Sequence, residues 1–121
     1  MKLHVAALWI LGIMFLVAGI GHFVAVAQFA KMIPNDWPLK HEAVIVTGLV
    51  ELALAAGLIW PQTRKLAGVG IFLLLLLYTP IHIYDLMRYS PVIGSKTVAI
   101  IRLPIQAVLL YLASLIAWPR R

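Results

Sequence analysis

Cysteine does not occur in the 121 residues, so disulfides, thiolate metal centres and dithiol redox chemistry are excluded and the redox compartment goes unmarked. Charge is scarce too. Only 12% of the chain is charged and only four residues are acidic, whereas a soluble domain carries roughly a quarter charged residues. A water-soluble globule is excluded on that ground. The chain also lacks a serine nucleophile elbow, a phosphate-binding glycine loop and a paired-glycine dinucleotide fingerprint, which removes the common soluble-enzyme chemistries. No internal repeat or low-complexity tract is present. The net charge of +6 does not point to nucleic acid, because lysine and arginine stand singly between apolar runs. They fit better as charges flanking membrane spans.

What the chain has is apolar length. It is 64% hydrophobic, and a helix needs roughly 20 apolar residues to cross the hydrocarbon core. Four segments reach or approach that length: about Leu3 to Ala27, Ala43 to Trp60, Leu66 to Tyr84 and Val98 to Trp118. The predicted fold is therefore all-α, a single integral membrane four-helix bundle over residues 1–121. The link Pro61 to Lys65 is so short that spans two and three form an antiparallel hairpin. The segments 28–42 and 85–97 carry Pro34, Asn35, Asp36, Pro38, Ser90, Pro91 and Gly94, and read as structured turns. Lys2, the apolar run and Ala25-Val26-Ala27 imitate a cleavable signal peptide, but the run exceeds a signal core of roughly 7 to 15 residues, so span one is expected to stay.

Orientation follows the distribution of lysine and arginine. One side holds Lys2, Arg64, Lys65, Arg120 and Arg121; the other holds Lys31, Lys40, Arg88 and Lys96 together with Asp36, Glu42 and Asp85. This bias favours both termini in the cytoplasm. Trp9, Trp60 and Trp118 then fall towards the cytoplasmic interface, with Trp37, Tyr84 and Tyr89 near the outer one.

Ionisable groups inside spans are costly, so each needs a partner, water or a function. Glu51 lies halfway along span two, with Thr47, Gly48 and Ala55 on its face, and should point into the bundle. Arg102 and Gln106 stack one turn apart on span four. Gln106 and Glu51 share a depth of about 12 Å, and Arg102 could reach down to Glu51 or up to headgroups. His22 and His82 join the same layer from spans one and three. Tyr78, His82 and Asp85 form a stripe at i, i+4 and i+7, next to Pro80, which removes a backbone hydrogen bond. Asp85, at the interface, is expected to be solvated. The five candidate ligand-binding residues are thus His22, Glu51, His82, Arg102 and Gln106, four helices feeding one outer-leaflet pocket. The plainer alternative is that these groups only pin the helices together, with Glu51 paired to Arg102. Haem between His22 and His82, or a metal on His22, Glu51 and His82, has suitable ligand types but no diagnostic spacing.

At these residues the chain resembles the DoxX-like family of small four-span bacterial membrane proteins. The likeness runs through Gly21-His22-Phe23, Ile33-Pro34, Trp37-Pro38, Gly48 and Glu51, then Pro61, Thr63, Arg64, Ala67 and Gly68, Pro80, and Arg102-Leu103-Pro104 with Gln106. Two positions depart from it, His82 in place of an asparagine and Ala55 in place of a glycine. The resemblance implies a bacterial inner-membrane protein associated with redox systems, and a quinone or lipid as the molecule bound. Whether it is an enzyme stays open. Two alternatives stand beside it: a non-catalytic assembly factor that docks a membrane partner or a second copy through small-residue faces at Gly12 and Gly19 or at Gly68, and a small transporter.

Overall fold

The structure, a computed structural model, describes residues 2–119. Among them all regular structure is helical: α1 Lys2–Val24, α2 Val26–Ala30, α3 Lys40–Gly57, α4 Pro61–Met87 and α5 Lys96–Ala117. Arg120 and Arg121, counted above towards orientation, lie outside the described residues. Helices α1, α4 and α5 are long and apolar enough to cross a membrane, with mean hydropathies of 2.3, 2.1 and 1.9. Helix α3 has 18 residues, about 27 Å of helix, and carries Lys40, Glu42 and Glu51, so composition alone does not mark it as a span. Span one ends earlier than expected. Ala25 leaves helical geometry (φ −127°, ψ 50°), and the five-residue α2 follows at a new angle.

The long helices pack as two intimate pairs, α1 with α3 and α4 with α5, joined by lighter contacts of α1 with α5 and α3 with α4. The turn between α3 and α4 is tighter than the sequence suggests, because Pro61 is already the first helical residue of α4. Proline suits that position, since its missing N–H would have had no partner there. The last carbonyls of α3 also lack helical partners, and side chains from the first turn of α4 supply them. Thr63 Oγ1 donates to Gly57 O at 2.7 Å, Arg64 Nε to Leu58 O at 2.9 Å and Arg64 Nη2 to Ile59 O at 3.1 Å. His4 Nδ1 lies 3.3 Å from Leu115 O, so the start of α1 and the end of α5 share this hairpin end.

Packing is concentrated there. Ala7, Leu11 and Phe15 of α1 meet Ala55 and Leu58 of α3, Ala67, Ile71, Leu74 and Leu75 of α4, and Leu109, Leu112, Ala113 and Ile116 of α5. The recurrence at three and four residues puts each set on one helix face. Outward faces are apolar as well: Trp9, Val17, Leu66 and Leu73 are all more than half exposed. Such a belt suits lipid rather than water.

Two glycines set helix spacing. A Cβ on Gly68 would stand 2.7 Å from Ile116 Cγ2 and 2.8 Å from Ala117 N, so α4 and α5 touch backbone to backbone. A Cβ on Gly48 would stand 2.7 Å from His22 Cβ and 3.3 Å from Gly19 O, so α1 and α3 do the same. The faces at Gly19 and Gly68, expected as candidate partner-docking stripes, are therefore consumed inside the bundle. Both glycines are buried.

Candidate functional site

Away from the hairpin end the helices enclose a cavity of about 630 Å³. Phe15 and Leu75 of the packed core form its floor. Phe29 of α2, Met32, Ile33 and Trp37 of the following loop, and Val92 and Ile93 of the α4–α5 loop line its opposite end. Four long helices contribute polar side chains to its wall: His22 from α1, Thr47 and Glu51 from α3, Tyr78 and His82 from α4, and Arg102 from α5.

The close crossing at Gly48 sets the first polar group. With α1 and α3 in backbone contact, His22 and Glu51, three residues on from Gly19 and Gly48 respectively, come face to face. His22 Nδ1 is 3.3 Å from Glu51 Oε1 and 2.7 Å from the carbonyl of Ala18, and its ring stacks on Phe29 with centroids 4.2 Å apart. From α4, Tyr78 Oη donates to Glu51 Oε2 at 2.6 Å. Glu51 is 2% exposed and His22 7%, while Tyr78 is half-buried, so this triad, held by three helices, lies at the edge of the packed interior. Tyr78 was legible only as a member of the α4 stripe. A tyrosine in a span reads as ordinary amphipathic filling, and nothing in its spacing announces a bond to α3.

Arg102 does not reach Glu51. Among the described residues the two ion pairs are His22 with Glu51 and Arg88 with Asp85, so of the two courses open to Arg102 the reach to Glu51 is not taken, and Glu51 meets His22 and Tyr78 instead. The reason is geometric: α3 touches α1 closely and α5 not at all. Arg102 instead faces the cavity, its Nη1 buried without a hydrogen-bond partner. Gln106 belongs elsewhere. It does not line the cavity; its Nε2 donates to Leu75 O at 2.6 Å and to Thr79 Oγ1 at 3.2 Å, tying α5 to α4 one turn before Pro80.

Asp85 also departs from expectation. It is 1% exposed rather than solvated, because the α4–α5 loop folds back over it. Its carboxyl oxygens accept from Val92 N at 2.8 Å and Ile93 N at 3.2 Å, and Arg88 Nη1 lies 3.5 Å away. Arg88 Nη2 in turn donates to the carbonyls of Met32 and Ile33, which laces the two loops together over the cavity, and Lys96 Nζ donates to the carbonyl of Leu86, which closes the α4–α5 loop on itself. Among the described residues no group of three His, Asp or Glu side chains stands close enough to hold a metal ion, so the set His22, Glu51 and His82 is not assembled as one.

The arrangement is a pocket with an apolar body and two polar poles: the triad on one wall, and Arg102 with His82 on another. It offers donors and acceptors for one small molecule. Comparison with curated proteins gives no match, and comparison with solved structures gives none. Residues 11–117 match a family described as a domain of unknown function, DUF8561, and since the match covers all five helices in whole or in large part, the chain belongs to that family.

Proposed function

We propose that this chain is a four-span protein of the bacterial inner membrane, both termini cytoplasmic, whose outer-half cavity binds a quinone- or lipid-like amphipath as part of a redox-associated membrane assembly. The cavity carries the reading. Its 630 Å³ falls inside the range of about 300–1,000 Å³ usual for ligand sites, and few polar groups converge on apolar walls, as in such sites. Support for a fourth span comes from α3 being clamped antiparallel to α4 by a three-residue turn and packed along α1. Its one mid-helix charge, Glu51, has its partners inside the bundle. The redox association rests on the resemblance to DoxX-like proteins.

Mass and ultraviolet-visible spectra of the protein purified in mild detergent test this reading. A bound amphipath in the wild type, depleted in Glu51→Gln and Arg102→Met variants that keep their helical circular dichroism, is the expected result. A wild type that neither carries nor takes up any quinone or lipid sinks it.

A further inference from the structure

The cavity is electrically unfinished. Glu51 is its one acidic side chain and Arg102 its one guanidinium, and the two are not paired with each other. Glu51 is already turned to Tyr78 and His22. The nearby Asp85 is occupied by two loop amides and Arg88. Three buried side-chain atoms among the described residues lack a hydrogen-bond partner, and Arg102 carries the one donor among them; the others, Glu51 Oε1 and Gln106 Oε1, are acceptors. Arg102 Nη1 is buried without a partner, and no carboxyl oxygen among the described residues lies within ion-pair distance of it. A guanidinium has five N–H donors, no acceptor, and keeps its proton. A charge at such a site calls for a counter-charge or for water.

The way in limits what that counter-charge is attached to. Ala43 of α3 and Leu77 and Pro80 of α4 line the cavity and are also exposed on the flank of the bundle, so the cavity opens sideways between these helices. Near the hairpin α3 and α4 are too close for this: a Cβ on Gly57 would lie 3.0 Å from Ala67 Cβ. Towards the loops they part, and at Glu51 a tyrosine is needed to bridge them. A molecule entering by that slot comes from the hydrocarbon. Its 630 Å³ lies within the range of about 300–1,000 Å³ usual for a site that takes one small ligand.

We infer that the cavity selects an amphipath with an anionic headgroup, a carboxylate or a phosphate, whose oxygens sit on the Arg102 guanidinium and whose tail leaves between α3 and α4. Planar two-point binding of such oxygens is what arginine does best. The inference rests on the amphipath-binding reading above and narrows it to acids.

The test is equilibrium binding of tritiated palmitate to the purified full chain in detergent, with hexadecanol, hexadecyl phosphate, a neutral long-chain quinone and free inorganic phosphate as competitors. Palmitate or hexadecyl phosphate should bind about tenfold or more tighter than hexadecanol, the margin expected for charge-assisted hydrogen bonds, and free phosphate should not compete. The better of the two acids identifies the headgroup. Arg102→Met should abolish the preference for acid over alcohol, and Arg102→Lys should keep part of it. Equal binding of acid and alcohol by the wild type overturns the inference without any variant having to fold. Tight binding of the neutral quinone with no acid preference leaves the amphipath reading standing and removes this one; no binding of any probe removes both.

Discussion

The crossing of α1 and α3 at Gly48 should tolerate no side chain. In Gly48→Ala the new Cβ would start 2.7 Å from His22 Cβ, 3.2 Å from Phe23 Cε2 and 3.3 Å from the carbonyl oxygen of Gly19, where ordinary contact begins at 3.4 Å. Neither His22 Cβ nor a backbone oxygen can rotate away, so the helices must separate. Overpacking of this kind costs about 1–3 kcal/mol, which moves the unfolding equilibrium roughly 5- to 150-fold. The separation also lengthens the 3.3 Å approach of His22 to Glu51, so stability and ligand retention should fall together. Sodium dodecyl sulfate titration, followed by far-ultraviolet circular dichroism, reads the first. Gly12→Ala is the control of opposite sign: its Cβ would meet only Leu58 Cδ1 at 3.9 Å, and replacing a helical glycine by alanine stabilises by about 0.5–1 kcal/mol. A Gly48→Ala protein as stable as wild type, or a Gly12→Ala protein equally damaged, would refute the reasoning.

Three further outcomes are expected. Tyr78→Phe removes the 2.6 Å bond to Glu51 and should destabilise by about 1.5–3 kcal/mol, and combining it with Glu51→Leu should cost clearly less than the two changes added, as a double-mutant cycle in the same titration would show. Asp85→Ala strips two loop amides of their acceptor, so hydrogen exchange at Val92 and Ile93 should quicken by about tenfold or more while the α4 core stays protected. Gln106→Leu should lower stability by about 1 kcal/mol yet leave ligand retention at the wild-type level; a loss of retention would mean that Gln106 belongs to the site after all.

Helix content was readable because apolar length is a coarse signal that survives errors of a few residues. The hairpin was readable as well, since five residues between two spans leave one geometry. The polar layer is visible as depth along each helix, which places Gln106 level with Glu51, Arg102 one turn shallower, and His22 and His82 in the same layer. Depth does not give rotation. Which of two charges at one level meets which depends on how close the helices come, and that is set by small residues such as Gly48, whose partner cannot be read from one strand of sequence. Hence the sequence leaves Arg102 free to reach Glu51 or the headgroups, whereas in the fold Glu51 meets Tyr78 and His22. Asp85 was misjudged for a related reason: its acceptors are satisfied by amides seven and eight residues on, in a loop whose return path leaves no periodic trace.

The clamped turn between α3 and α4 bears on how the chain enters its membrane. Alone, α3 is a poor candidate for insertion, because a mid-span glutamate adds a few kcal/mol to the transfer. Yet the residue that answers that glutamate, Tyr78, lies on α4, the next helix to be synthesised and one of the three that are apolar enough to cross unaided. On the four-span reading, the hairpin therefore brings its own donor to its own acceptor. Helices α3 and α4 would partition as one unit, with the carbonyls of their turn already closed by Thr63 and Arg64, before α5 arrives to complete the bundle.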